Sequence, residues 1–143
     1  QQLGLHVVRR SVALPASDTQ VWLGDSMGEM AAYFSLADLA FIGGSLLPLG
    51  GQNLIEAAAC DCPVVVGPHT FNFKQATEDA IAAGAALRVD SPEMLAATVN
   101  RVFGQKMKLA EMRTAAGSFA HAHQGAGGRM LALIARWMDP AAR

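Results

Sequence analysis

Two carboxylates, Glu29 and Glu56, each stand near the start of a predicted helix, three residues after a polar side chain. The polar residues are Ser26 and Asn53, so both pairs have the spacing of a capping box, in which the glutamate returns to the backbone N–H of the cap. A carboxylate in this position can also accept hydrogen bonds from the two hydroxyls of a ribose ring. The residues alone leave both interpretations open.

The segment before Glu56 favours a ligand that carries a phosphate. Residues 43–56 read GGSLLPLGGQNLIE, a glycine-rich loop that leads directly into a helix. The unpaired N–H groups and partial positive charge at a helix N-terminus hold a phosphate without lysine, and glycines let a ligand approach the backbone closely. We therefore expect a cleft here, and the loop residues that could line it are Ser45, Gly50, Gly51 and Gln52.

A third loop, GPHTFNF at 67–73, offers His69 and Asn72 as further candidate residues of the cleft. His69 follows a strand end, and a role in the site and a role in packing both stay open. His121 and His123 are two apart, whereas a metal pair on a helix needs an i, i+4 spacing. Neither a G-x-G-x-x-G fingerprint nor a G-K-[ST] phosphate loop is present, and we expect no metal and no cofactor.

The elements that must position these loops alternate between apolar strands and helices, which is typical of a parallel sheet covered on both faces. The pattern predicts an α/β domain, 1–143, with a Rossmann-like doubly wound parallel sheet. In that fold, ligands bind outside the carboxyl ends of the strands, where the loops at 24–30, 43–56 and 67–73 lie. Strands are predicted at 6–10, 20–24, 39–43, 63–67 and 85–89, and helices at 28–37, 53–60, 73–84, 93–103 and 105–139, the last interrupted near HQGAGG at 123–128.

Composition excludes several classes of protein. Hydrophobic residues make up 52% and charged residues 16% of the 143, so disorder is excluded and a real core is expected. Residues 1–70 contain two basic and six acidic residues, and no basic stripe with aromatics indicates nucleic-acid binding. No apolar run reaches the roughly 18–20 residues that span a bilayer. Cys60 and Cys62 are expected to be free thiols.

Three blocks in this order resemble the C-terminal half of the Kdo (3-deoxy-D-manno-octulosonic acid) transferases over about residues 5–103: WLGDSMGEM at 22–30, FIGGSLLPLGGQNLIEAAA at 41–59 and VVVGPHTFNF at 64–73. Members of this family move Kdo from CMP-Kdo onto a lipid A precursor in Gram-negative bacteria. The resemblance implies a GT-B glycosyltransferase in which this chain is the domain that binds the nucleotide sugar.

The resemblance also implies which residues contact CMP. Met27, Gly28 and Glu29 match the family's first CMP-contacting block, and Asn53, Leu54, Ile55 and Glu56 match the second. Gln52 stands where a histidine is common, and Leu54 stands where proline or alanine is common. The block therefore offers no histidine as a proton donor.

By the same resemblance, the catalytic carboxylate, the acceptor domain and a membrane anchor belong to an N-terminal half outside this chain. The start QQLG, without Met, agrees with a piece of a longer protein. We expect no catalytic residue here, a fragment that is inactive alone, and a full-length enzyme at the cytoplasmic face of the inner membrane. The alternatives are a GT-B domain for another nucleotide sugar and a nucleotide-binding module without chemistry.

Overall fold

The structure is a computed structural model that describes residues 3–123, 130–131 and 134–135. This part of the chain contains five strands and five α-helices, which alternate from the second strand to the fourth helix. The strands are β1 Val7–Arg9, β2 Val21–Leu23, β3 Ala40–Phe41, β4 Val64–Val66 and β5 Ala86–Arg88; the helices are α1 Met30–Leu36, α2 Ile55–Ala58, α3 Lys74–Ala82, α4 Pro92–Gly104 and α5 Lys106–His123. The predicted break near 123–128 lies mostly outside the described residues.

All strand pairs are parallel, as predicted, but they form two separate sheets instead of one. In the first sheet β1 pairs with β2, with Val7 opposite Val21 and Arg9 opposite Leu23. In the second sheet the order is β3-β4-β5. The α/β class is confirmed, while the continuous sheet expected from the alternation of elements is divided into a two-stranded and a three-stranded part.

The core lies around the second sheet because β4 is buried on both faces, as a central parallel strand requires. Helix α5 packs against α2, α3 and α4, and its buried residues follow helical spacing on one face. They are Met112, Ala116, Phe119 and Ala120. Small side chains dominate the rest of the core, so helices and strands approach closely.

The first sheet is more exposed, with Val7, Val21 and Leu23 all partly open to solvent. It is tied to α1 through Trp22, whose ring meets the ring of Tyr33 edge-on at a centroid distance of 5.5 Å. Helix α1 in turn packs against α2. The first sheet is therefore connected to the second one partly through the packing of α1 against α2.

Helix ends are set by the expected residues where the sequence signal is strong. Ser91 caps α4, its hydroxyl accepting a 3.2 Å hydrogen bond from the Met94 amide, and Pro92 follows in the first turn. Gly84, at φ +78°, ends the turn after α3 in the left-handed region that glycine favours. Helix α2 is shorter than predicted and covers Ile55–Ala58 only. None of the described helices is both long and apolar enough to cross a membrane.

Candidate functional site

A cleft of about 290 Å³ lies between α1 and the start of α2, at the carboxyl end of β3. We call it the first cleft, and its lining residues are Met30, Phe34, Phe41, Ile42, Gly43, Gln52, Asn53 and Glu56. Met30 directly follows the 27–29 block, so the cleft brings together the ends of two segments that are more than twenty residues apart in sequence. Its floor is apolar and its α2 side is polar.

Asn53 and Glu56 form the polar side of the first cleft, and they are bonded to each other. The Asn53 amide nitrogen donates a 3.0 Å hydrogen bond to Oε1 of Glu56. The Asn53 side-chain oxygen accepts a 3.1 Å bond from the backbone N–H of Ile55. The glutamate therefore bonds to the side chain of Asn53, and not to its backbone N–H as the capping box would have it.

The other residues of the second block serve the backbone or the core. Leu54 is only 2% exposed, so its side chain packs in the core and cannot reach a ligand. Ile55 is half-buried and packs against the same core, and its N–H is already bonded to Asn53. Gln52 lines the first cleft beside Asn53.

Glu29 lies just before α1, at the N-cap position, and its own side chain does not cap the helix. Its carboxylate accepts hydrogen bonds from the hydroxyls of Ser26 and Tyr33 and pairs with Arg10 at 3.0 Å. The hydrogen bond from Ser26, together with the positive charge of Arg10, holds the pKa of Glu29 below its ordinary value of 4.5. The Ser26–Glu29 spacing thus marks a network centred on Glu29, with Arg10 as its cation, instead of a capping box.

The remaining residues of the first block are open to solvent. Met27 is 97% exposed, and Gly28 adopts φ +79° beside it. Because Met27 is exposed, this block is accessible to a ligand or to another protein surface. The nearest part of the first cleft is Met30, in the first turn of α1.

Ser45, a predicted cleft residue, is completely buried and has a structural role. Its hydroxyl donates to the Ile42 carbonyl and accepts a 2.8 Å hydrogen bond from the Gly67 N–H. Its carbonyl accepts a 2.9 Å bond from the His69 N–H. A Cβ at Gly67 would overlap the Ser45 backbone, so only glycine permits this contact. Ser45 thus fastens the loop after β3 to the end of β4.

Gly50 has a similar structural reason, which differs from the ligand approach expected from the sequence. It is buried at φ +89°, and a Cβ there would overlap Asn72 and the ring of Phe71. The Asn72 N–H donates a 3.2 Å bond to the Gly50 carbonyl, and the Asn72 side chain donates to the carbonyls of Leu49 and Gly51. Gly51 is buried as well. These residues shape the loop beside the first cleft without lining it.

His69 lies outside the first cleft, in a second cleft of about 270 Å³ at the carboxyl ends of β4 and β5. The sequence interpretation placed His69 in a loop at a strand end, which is correct, but it missed Lys74, Glu78 and Arg88 as neighbours. These three lie on α3 and β5, and no local spacing links them to the 67–73 loop.

Comparisons with known proteins identify relatives over nearly the whole chain. No protein-family model matches it. It is 45% identical over 140 residues to 3-deoxy-D-manno-octulosonic acid transferase of Bordetella pertussis, covering 96% of the chain and 33% of the relative. The corresponding protein of Haemophilus influenzae is 35% identical over 134 residues, covering 92% and 31%. The chain thus spans about a third of the length of these relatives.

A solved structure is similar as well: the crystal structure of the C-terminal CMP-Kdo binding domain of WaaA from Acinetobacter baumannii. The TM-score is 0.76 at 31% sequence identity, covering 82% of this chain and 62% of that chain. The resemblance inferred from the three sequence blocks is confirmed by both comparisons. The chain belongs to the 3-deoxy-D-manno-octulosonic acid transferase family, and its fold is that of the family's C-terminal domain.

Proposed function

We propose that this chain is the donor-binding domain of a Kdo transferase and that it holds CMP-Kdo in the first cleft. The observation that carries the proposal is the first cleft, which places the start of α1 beside the polar residues of the second block. Met30, the residue that directly follows the first block, lines the same space as Asn53 and Glu56, the polar residues of the second block. That space lies at the carboxyl end of β3, where α/β domains bind nucleotides.

In this proposal Glu56 accepts hydrogen bonds from the ribose hydroxyls, and Asn53 orients it. The bond between the two side chains engages Oε1 of Glu56, and Glu56 itself lines the cleft. The apolar surfaces of Met30 and Phe34 offer contact to the cytosine ring or the sugar. Preorganised groups of this kind lose little entropy when a ligand binds.

The phosphate is held by backbone amides of the two blocks, in place of basic side chains. Because the Ile55 N–H is bonded to Asn53, the contribution of the second block comes from the amides of Asn53 and Leu54. Met27, Gly28 and Glu29 supply the others. Donors aimed at a departing CMP stabilise its charge without a metal.

The complete enzyme, in this proposal, moves Kdo onto a lipid A precursor at the cytoplasmic face of the inner membrane, as part of lipopolysaccharide biosynthesis. The acceptor and the base that deprotonates its hydroxyl belong to another domain. This chain contributes the donor site alone.

An NMR titration with CMP, UMP and NAD tests the proposal. CMP should shift the amide signals of residues 27–29 and 52–56 more than UMP does, with a dissociation constant of roughly millimolar because one domain supplies only part of the contacts. Tighter binding of UMP would indicate a different nucleotide sugar. Tighter binding of NAD, or no shifts in these residues, would overturn the proposal.

A further inference from the structure

The second cleft differs from the first one in its charge. It is lined by Pro68, His69, Thr70 and Phe71 on one side and by Lys74, Glu78 and Arg88 on the other. The lining therefore contains two basic side chains, Lys74 and Arg88, and one carboxylate, Glu78. The first cleft has the opposite balance, since its lining contains Glu56 and no lysine or arginine.

The single carboxylate in the second cleft, Glu78, is paired with Arg88. The Arg88 guanidinium donates to both carboxylate oxygens of Glu78, at 2.9 and 3.4 Å. This pairing holds the pKa of Glu78 below its ordinary value, so the ion pair is formed at neutral pH. Lys74 lies one turn before Glu78 on α3 and makes no ion pair within residues 3–123. Its ammonium group is the surplus positive charge of this cleft.

The two clefts are neighbours in the fold. The first lies at the end of β3, and the second lies at the ends of β4 and β5 in the same sheet. Adjacent strands are about 4.8 Å apart, so the two sites are separated by roughly 5–10 Å along the sheet. A ligand the size of a nucleotide sugar can reach from one to the other.

We infer that the second cleft binds an anionic group of a substrate, a carboxylate or a phosphate, through Lys74 with Arg88 beside it. The inference rests on the proposed function, because the donor is a sugar acid joined to a phosphate and the first cleft presents no basic side chain to either group. Lys74 supplies the positive charge. Arg88 supplies hydrogen-bond donors whose position is fixed by Glu78, and Thr70 and Phe71 line the opposite side of the second cleft. The anion comes from the donor's carboxylate or from a phosphate of a substrate.

NMR titrations of the ¹⁵N-labelled chain with free Kdo, inorganic phosphate and a neutral hexose test this inference. Kdo or phosphate should shift the amides of residues 69–74 and 88, and the hexose should not. Lys74→Gln should weaken that binding roughly three- to tenfold, as expected for one charge-assisted contact in a half-open site. Lys74→Arg should keep most of it. Lys106→Gln, which removes an exposed lysine at the start of α5, is the matched control and should change nothing.

The outcomes distinguish a sugar carboxylate from a phosphate as the bound anion. They also distinguish failure of the anion site from failure of the proposed donor site. Shifts with Kdo and not with phosphate assign the cleft to the sugar carboxylate, and the reverse assigns it to a phosphate. No shift with either anion, or equal binding by the Lys74→Gln and Lys106→Gln variants, would overturn the inference. A CMP titration of the same samples reports on residues 52–56, so a failed donor site and a failed anion site are distinguishable.

Discussion

Asn53 and Glu56 are joined side chain to side chain by a 3.0 Å hydrogen bond, while the opposite end of the Asn53 amide accepts from the Ile55 N–H. Asn53 therefore both accepts a hydrogen bond from the first N–H of α2 and orients the carboxylate of its first turn. Because the two side chains are bonded to each other, variants of Glu56 and Asn53 can be compared in two measurements. A loss of stability indicates a role in the helix, and a loss of CMP affinity indicates a role in ligand binding.

Glu56→Gln should preserve the fold and weaken nucleotide binding. A glutamine oxygen still accepts from the Asn53 amide, so the free energy of unfolding should change by no more than about 0.5 kcal/mol. The loss of a charged acceptor for ribose should lower CMP affinity by roughly ten- to a hundredfold. Melting temperature and CMP affinity are measured on the same sample. Glu93→Gln, the same change in the first turn of α4, is the control. Lost stability with intact affinity would show that Glu56 supports only the helix.

Asn53→Asp should keep the turn and disturb Glu56. The aspartate still accepts from the Ile55 N–H, but it cannot donate to Glu56 and places a second negative charge beside it. We expect CMP affinity to fall about tenfold while the melting temperature changes little. Asn100→Asp on the exposed face of α4 makes the same charge change away from the cleft. Unchanged affinity in Asn53→Asp would contradict an orienting role for Asn53.

Ser45→Ala should destabilise the protein, because it leaves the buried Gly67 N–H and the Ile42 carbonyl without their hydroxyl partner. A buried group that loses its hydrogen bond costs about 1–3 kcal/mol. Urea unfolding measures the difference. Ser35→Ala removes an exposed hydroxyl from α1 and should stay within about 0.5 kcal/mol of the wild type. Equal losses in both variants would contradict the fastening role of Ser45.

The contribution of Glu29 to stability should disappear in acid. Its pKa is lowered in the folded protein, chiefly by Ser26, so near its ordinary pKa the unfolded chain binds more protons than the folded one. The stabilisation is therefore present above about pH 5 and is lost as the pH falls through the folded pKa. The melting temperature of the wild type should exceed that of Glu29→Gln at neutral pH, and the gap should narrow in acid. A constant gap from about pH 7 to about pH 3.5 would contradict this.

The chain by itself should transfer no Kdo, because the proposed base lies in another domain. Purified chain, CMP-Kdo and a lipid A precursor are incubated, and the product is followed by mass spectrometry. Addition of the separately produced N-terminal part of a full-length relative is the positive control for the substrates. Turnover by the chain alone would overturn the proposed division of work between domains.

The strands, the helix order and several helix ends could be predicted because their signals are local. Ser91 and Pro92 adjoin the helix that they start, and Gly84 adjoins the helix that it ends. The contact between Asn53 and Glu56 is local as well, since the two residues are one turn apart and their side chains meet in the structure.

The remaining features depend on contacts between distant residues. Ser45 fits the pattern of a cleft residue in sequence, and only its partner 22 residues away, Gly67, makes it a core residue. Glu29 has the spacing of a capping box, but Arg10, directly after β1, pairs with its carboxylate. The second cleft combines a loop, a helix and a strand, so no spacing rule reveals it.

The division of the sheet has a consequence for amide hydrogen exchange. β1 and β2 form an exposed pair, whereas β4 is buried between two neighbours, so amides of the first pair should exchange by local opening at a lower free energy than those of β4. Residues of α1 and α2 lie on two sides of the first cleft. Helix α1 directly follows β2 of the first sheet, and α2 directly precedes β4 of the second sheet. A ligand that touches both sides should therefore slow exchange at Val21–Leu23 far more than at Val64–Val66.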